Sequence, residues 1–186
     1  PSTTEGEQIT LPFNLTRDEI DQILINARSG NVLTIQTWLK LMGFFPDELD
    51  GDMGPITRNA IKRYQRSINH EETGELHPSW EQVLEREVRK ITQKALKELD
   101  LYHNEIDGID GISTRGAIQS FERKQQIEET GSLSPHLLLV LFNQNEAHKR
   151  KLSHSYAEAS EQELARDYIA DADGEASLDQ ETSPQQ

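Results

Sequence analysis

The chain has 186 residues, a length that accommodates one medium domain or two small ones. Its formal net charge is −14, whereas phosphate backbones and anionic lipid surfaces attract clustered Lys and Arg. Nucleic acid is therefore excluded as a main partner, and direct binding to anionic membranes is disfavoured.

The absence of Cys excludes a disulfide framework and a thiolate metal site. No apolar run approaches membrane-spanning length, so no membrane insertion is expected. The start at Pro1 without Met predicts a processed or trimmed start.

A capping signal marks the first predicted helix. Thr16 is followed three residues later by Glu19, a spacing at which each side chain caps the other residue's amide. Apolar residues then recur at helical spacing: Ile20, Ile23, Leu24 and Ala27. We predict that this helix ends at Ser29-Gly30, with Gly30 at positive φ. Residues 1–30 should form an N-terminal extension whose helix packs on the first half of the chain.

The centre of the chain is a tandem repeat with a period of 57 residues and no insertion or deletion. Each copy reads as an apolar helix, an Asp-Gly turn, a second helix, a Thr-Gly break and a third helix. The matched positions include Gln36 and Gln93, Asp50-Gly51 and Asp107-Gly108, Gly54 and Gly111, Thr57-Arg58 and Thr114-Arg115, and Tyr64 and Phe121. Such a period determines the architecture. We predict an all-α fold with three-helix units at residues 31–85 and 86–143.

The junction between the repeats lacks helix breakers. From Ser79 to Leu99 there is neither Gly nor Pro, so the third helix of repeat one should continue into the first helix of repeat two. The two units would then be held at a fixed angle. Residues 144–186 are charged and carry few apolar side chains, and we predict a mostly disordered acidic tail with nascent helix near Glu161 to Ala170.

The repeats resemble the peptidoglycan-binding-domain-like family of small three-helix modules. The resemblance rests on V-x-x-I-Q-x-x-L around Gln36, on D-G-x-x-G-x-x-T from Asp50 and from Asp107, and on the two Thr-Gly-x-Leu segments. Repeat two departs from the family pattern at Thr92, Asp100 and Glu122. The resemblance covers roughly residues 31–143. It implies peptidoglycan as partner, a periplasmic or extracellular location in the bacterial envelope, and a frequent place beside a wall hydrolase or transpeptidase.

The Asp-Gly-x-x-Gly-x-x-Thr elements allow a structural and a functional interpretation. The Asp side chains can tie the turn to its backbone, the glycines permit unusual φ, and the threonines can bond back within the first helical turn. Alternatively, the free amides from Gly54 to Thr57 form an anion site at a helix N-terminus, where a stem-peptide carboxylate could bind beside Arg58. The candidate ligand-binding residues are Asp50, Gly51, Gly54, Thr57, Arg58, Tyr64, Asp107, Gly108, Gly111, Thr114, Arg115 and Phe121.

A local positive patch distinguishes the repeats. Repeat one places Arg58, Lys62, Arg63 and Arg66 on its second helix, whereas repeat two has the sparser set Arg115, Arg123 and Lys124. A charge run is usually a solvated helix face. Because peptidoglycan is itself anionic, a binder with this net charge needs such a patch. We therefore predict that repeat one binds better than repeat two.

Metal binding and catalysis have little support in the sequence. The acidic loops around Asp50 and Asp107 do not match an EF-hand loop, whose bidentate Glu lies at position 12. There is no His-Glu-x-x-His, no Gly-x-Ser-x-Gly and no Cys nucleophile. The six histidines are scattered. We predict a non-enzyme without cofactor or metal.

Three functions remain open from the sequence. The first is a non-catalytic module that binds peptidoglycan and anchors or positions a protein or complex at the envelope. The second is a scaffold or interaction subunit that keeps the fold, contacts other envelope proteins and has lost wall binding. The third is an accessory part of a cell-wall hydrolase.

Overall fold

The computed structural model describes residues 11–175, with side chains described for residues 11–166. Its seven helices are α1 (Arg17–Asn26), α2 (Gly30–Leu41), α3 (Pro55–Ser67), α4 (Pro78–Glu98), α5 (Ile112–Lys124), α6 (Pro135–Leu141) and α7 (Gln144–Glu175). Within the described residues there are no named strands, only an isolated bridge between Phe13 and Asn143. The all-α prediction is therefore confirmed.

The helix ends follow local chemistry. The capping box forms as predicted, because Thr16 accepts from the Glu19 amide at 3.2 Å and the Glu19 carboxylate accepts from the Thr16 amide at 2.7 Å. Pro55 and Pro78 each occupy the first position of a helix, where the missing N–H costs nothing. The prediction for Gly30 is wrong. α1 ends at Asn26, and Gly30 begins α2 behind the N-cap Ser29, whose hydroxyl can cap a free amide of that helix.

α4 joins the two repeats, as the missing helix breakers predicted. Its 21 residues contribute the third helix of repeat one and the first helix of repeat two without interruption. The buried apolar side chains of residues 13–142 form one cluster, and the described residues up to Glu146 form one compact unit. The division at residues 85 and 86 therefore cuts through a shared helix, and it stays a prediction.

The position of α1 differs from the prediction. α1 lies mainly against α6 of repeat two, and α6 also packs on α2 of repeat one. The physical reason is the composition of the third helix in each repeat. Leu138 and Leu139 of α6 are fully buried, whereas their counterparts in α4 are the polar residues Glu81 and Gln82. Of these two helices, only α6 has apolar side chains on two sides. Burying the second side against α1 stabilises the fold through the hydrophobic effect.

Polar contacts fasten the N-terminal segment to the end of repeat two. The Gln144 amide donates to the Phe13 carbonyl at 2.7 Å, and the Asn143 side chain donates to the Leu15 carbonyl at 2.8 Å. Arg17 donates to the Glu146 carboxylate at 2.9 Å and to the Gln125 side chain at 2.8 Å. The two ends of the compact unit are therefore neighbours.

The structure extends a helix into the region that composition predicts to be mostly disordered. α7 covers residues 144–175, and every side chain described from residue 151 to residue 166 is exposed. The prediction for residues 144–175 therefore differs from the structure, and the prediction for residues 176–186 lies outside the described residues. Glu and Ala recur through this segment, and both have high helix propensity even without an apolar face to bury, which accounts for the difference.

One core position of repeat one carries an uncompensated polar atom. Tyr64 is buried, its ring meets Phe44 edge to face at a centroid distance of 5.7 Å, and its hydroxyl has no hydrogen-bond partner among the residues that the structure describes. Burial, and secondarily the charge of Glu87, raises the pKa of the Tyr64 hydroxyl. The matching position in repeat two is Phe121, which is also buried.

We expect Tyr64→Phe to raise the free energy of unfolding by about 1 kcal/mol, because it removes a buried hydroxyl that makes no hydrogen bond. Urea unfolding followed by circular dichroism measures the change. Ser67→Ala serves as control, since the Ser67 hydroxyl donates to the Tyr64 carbonyl at 2.6 Å and its loss should be mildly destabilising. A loss of 1 kcal/mol or more in Tyr64→Phe would show that the hydroxyl has a partner.

Candidate functional site: two glutamine-centred corners

A buried glutamine organises the first Asp-Gly-x-x-Gly-x-x-Thr corner. Gln36 of α2 is fully buried, and its Nε2 donates to the Asp50 carboxylate at 2.8 Å and to the Thr57 hydroxyl at 2.9 Å. Its Oε1 accepts from the amides of Asp50 at 3.2 Å and Gly51 at 2.9 Å. One side chain thus fixes both the turn and the start of α3.

The second corner repeats this arrangement. Gln93 of α4 donates to the Asp107 carboxylate at 3.0 Å and to the Thr114 hydroxyl at 2.9 Å. It accepts from the amides of Asp107 at 3.1 Å and Gly108 at 2.9 Å. It also donates to the Tyr102 hydroxyl at 3.2 Å. The 57-residue period therefore extends from sequence to the geometry of the site.

The predicted roles of Asp and Thr in the corners are partly met. Asp50 accepts from the Asp52 amide at 2.9 Å, and Asp107 accepts from the Ile109 amide at 2.8 Å, so each Asp ties its turn. Thr57 donates to the Asp52 carbonyl at 2.7 Å. That bond goes back to the loop and not, as predicted, to the first helical turn.

The hydrogen bonds shift the titration of both corner carboxylates. The bond from Gln36, and next the bond from the Asp52 amide, lower the pKa of Asp50. The Ile109 amide, and next Gln93, lower the pKa of Asp107. Folding thus lowers both pKa values. The ionised carboxylates stabilise the fold above the unfolded-state pKa of about 4, and this contribution is lost as the pH falls through the folded-state pKa.

The helix openings at the corners are accessible. No side chain caps the first turn of α3 behind Gly54, or that of α5 behind Gly111. Both glycines are partly exposed, and a Cβ on Gly111 would meet no atom within 4 Å. A small hollow of about 80 Å³ lies at the first opening. Four acidic residues line it: Asp47, Glu48, Asp50 and Asp52. Their charges oppose a carboxylate ligand there, in contrast to the helix dipole, which favours one.

Ion pairs engage most of the predicted positive patch. Arg58 lies 3.5 Å from the Glu75 carboxylate, and Arg66 lies 2.7 Å from that of Glu72. In repeat two, bidentate pairs join Arg115 to Asp110 and Arg123 to Glu129. The paired guanidinium groups remain exposed, so an anionic ligand would have to compete with a carboxylate for each of them.

The structure separates the predicted site residues into two groups. Thr57, Thr114, Tyr64 and Phe121 are buried and shape the corners or the core from within. Arg58 and Arg115 are exposed beside the helix openings. Gly51 and Gly108 are buried under neighbouring backbone, and Asp50 and Asp107 face the buried glutamines.

A second polar centre, which the sequence analysis did not assign, lies under each Thr-Gly loop. Gln65 is buried, donates to the Thr73 hydroxyl and to the Glu75 carbonyl at 2.9 Å each, and accepts from the Gly74 amide at 3.0 Å. Its counterpart Glu122 is fully buried and accepts from the Thr130 hydroxyl at 2.7 Å and from the Gly131 amide at 2.9 Å. The departure at Glu122 therefore preserves the loop by reversing the hydrogen bond to Thr130. The recurring Gln or Glu before the Thr-Gly break was the available signal.

A groove opens beside the Thr-Gly loop of repeat one. It lies between the end of α3 and the start of α4 and has a volume of about 550 Å³. The rings of His70 and Trp80 lie against each other in it, with a centroid distance of 3.6 Å and a tilt of 46° between their planes. Of the groove's other side chains, Glu75 pairs with Arg58, and Gln65 is held by the loop.

Neither a metal centre nor a membrane span occurs in the part of the chain that the structure describes. No three His, Asp or Glu side chains between residues 11 and 166 converge on a point where they could hold a metal ion. No helix among the described residues combines the length and the apolar character that crossing a bilayer requires.

The comparisons with known proteins agree with the duplicated architecture. The family model described as "Putative peptidoglycan binding domain" matches residues 28–84 and again residues 85–141. The two matches together cover more than half of the 186 residues. No curated protein and no solved structure was found to match the chain.

Proposed function

The chain belongs to the peptidoglycan binding domain family, and from this premise we propose that it anchors or positions a protein or complex at the bacterial envelope. The family consists of binding domains and not of catalytic ones. Because its ligand is peptidoglycan, membership implies association with the cell wall. Within that, we propose a periplasmic or extracellular location and peptidoglycan glycan or stem peptide as the partner.

The observation that carries this proposal is the pair of matched domains, each with an uncapped helix opening at the protein surface. Such openings present backbone amides to solvent, where polar oxygens of a ligand can accept hydrogen bonds from them. We propose that the exposed residues of the predicted set, Arg58 and Arg115, contact the polymer, and that the buried members hold the corners in shape.

A second candidate function has an observation of its own. Ile106, Ile109 and Ile112 surround the second corner and are 41%, 57% and 91% exposed. Exposed apolar side chains close together in one segment, here the loop before α5 and the first residue of that helix, are typical of protein contact surfaces. This favours the alternative in which repeat two contacts another envelope protein, while an accessory role beside a wall hydrolase is compatible with either function.

We expect Arg58→Glu to weaken co-sedimentation with purified sacculi by about tenfold, which corresponds to about 1.4 kcal/mol. The change replaces a cation by an anion next to Glu75 and leaves the buried network around Gln36 intact. The matched variant Arg115→Glu in repeat two should have a smaller effect, because repeat two has the sparser positive patch. Equal losses would contradict the preference for repeat one, and no loss in either variant would remove both arginines from the site.

A further inference from the structure

We propose that the groove of repeat one is a binding site for the glycan strand, with Trp80 and His70 as its aromatic platform. This inference rests on the proposed function, and it locates glycan binding in the groove, apart from the two glutamine-centred corners. The groove is the largest of the cavities described here, and its aromatic side chains belong to two segments, the loop after α3 and the first turn of α4.

The side chains of the groove suit a neutral, hydroxyl-rich ring. The ring of Trp80 is partly exposed and presents an apolar surface with a polar N–H edge, which matches a sugar with one face of C–H groups and a rim of hydroxyls. His70, Glu71 and His77 supply donors and acceptors around it. The Glu71 side chain makes no hydrogen bond or ion pair within the described residues, and His77 Nδ1 lies 2.9 Å from the Ser79 hydroxyl. A few placed polar groups around an aromatic wall are typical of small-molecule sites.

The charges of the groove favour glycan over stem peptide. No Lys or Arg lines it, whereas Glu71 and Glu75 do. A stem-peptide carboxylate would be repelled by these two side chains, while the N-acetylglucosamine units of the strand have no charge to repel. The buried amide of Gln65 fixes the Thr-Gly loop from below, so the walls of the groove are preorganised.

Repeat two lacks the same site, although its backbone follows the same path. The counterpart of Trp80 is Leu137, which is fully buried, and the counterparts of His70 and His77 are Ile127 and Ser134. Leu137 belongs to α6, which packs against α1 and α2. The aromatic platform is therefore a property of repeat one alone, and repeat one should bind better for this reason as well as for its positive patch.

Tryptophan fluorescence isolates the groove. The chain has two Trp residues, and Trp38 is only 6% exposed, so Trp38→Phe leaves Trp80 as the single reporter. Chitin oligosaccharides, which are neutral chains of N-acetylglucosamine, serve as the glycan strands and should shift and saturate its emission. Trp80→Ala in the otherwise unchanged chain should reduce co-sedimentation with sacculi at least tenfold. Trp80→Phe should retain most of the binding because it keeps a ring. Glu71→Ala changes an exposed side chain without a partner, so it should weaken binding without any cost in folding.

The controls separate this inference from the proposed function. Ile25→Ser removes an apolar side chain of α1 that is 73% exposed and lies outside both corners and the groove, and it should leave sacculus binding unchanged. If the unmodified chain binds sacculi and both Trp80→Ala and Glu71→Ala, folded by circular dichroism, bind equally well, the groove is not the site although the function stands. If the emission responds to stem peptides and not to glycan strands, the assignment of glycan is overturned. If the unmodified chain binds neither sacculi nor glycan strands, both proposals fail.

Discussion

Gln36→Leu is expected to lower the free energy of unfolding by about 3 kcal/mol, one of the two largest effects that we predict. The leucine fits the volume but leaves the buried Gly51 amide without an acceptor, and it removes the donor to the Asp50 carboxylate and the Thr57 hydroxyl. A buried polar group without a partner costs about 1–3 kcal/mol, so the loss of several contacts exceeds the gain from apolar burial. Chemical denaturation with circular dichroism measures the difference.

Two comparisons test the reason for this loss. Gln93→Leu should cost a similar amount, because Gln93 makes the same contacts in repeat two. Gln82→Leu, at an exposed position of α4, should change stability by less than about 0.5 kcal/mol. If Gln36→Leu is as stable as the unchanged chain, the corner network does not hold the fold.

Gly108→Ala is expected to be about as destabilising, by roughly 3 kcal/mol or more. Gly108 has a φ of +71°, which L-residues rarely adopt, and a Cβ there would lie 2.8 Å from the Arg86 carbonyl oxygen and 2.7 Å from Arg86 Cγ. The Arg86 side chain can rotate away, but the carbonyl belongs to the backbone of α4 and cannot. The turn must therefore move away from Gln93, which breaks the hydrogen bond from the Gly108 amide. Thermal unfolding reports the loss.

Gly116→Ala is the matched control in the same repeat. Gly116 lies within α5, and a Cβ there would meet no atom within 4 Å. Alanine is the better helix former by about 1 kcal/mol, so this change should stabilise the chain. The same change from glycine to alanine is thus expected to lower the free energy of unfolding at residue 108 and to raise it at residue 116, eight residues further on. Equal effects at both positions would show that the approach to α4 does not constrain the turn.

Much of the architecture could be predicted from the sequence, because local signals and the repeat agree. The capping box at Thr16, the prolines at positions 55 and 78 and the uninterrupted run across α4 each specify a local structure that does not depend on distant contacts. The 57-residue period then sets the order of the elements. The polar corners were also located, since Asp-Gly and Gly punctuate the chain at fixed offsets.

The remaining features depend on tertiary packing. Sequence spacing alone does not show that α1 covers α6, because that choice reflects the difference between Leu138 and Glu81 on helices far apart in the chain. The sequence does not predict that Gln36 holds the first corner together, because a glutamine in an apolar helix has no local signature beyond its recurrence at position 93. Tyr64 and Phe121 are among the predicted ligand-binding residues, and the sequence alone does not show that both lie buried in the core.

The bridge between Phe13 and Asn143 has a mechanical consequence for the helical repeats. The chain enters and leaves the compact unit at nearly the same point, where Gln144 and Leu15 are also joined by hydrogen bonds to the facing segment. Tension applied along the polypeptide would be carried by these few hydrogen bonds between the two segments. The helical repeats would bear no force until those bonds broke. The proposed glycan site in repeat one would then keep its shape under such tension.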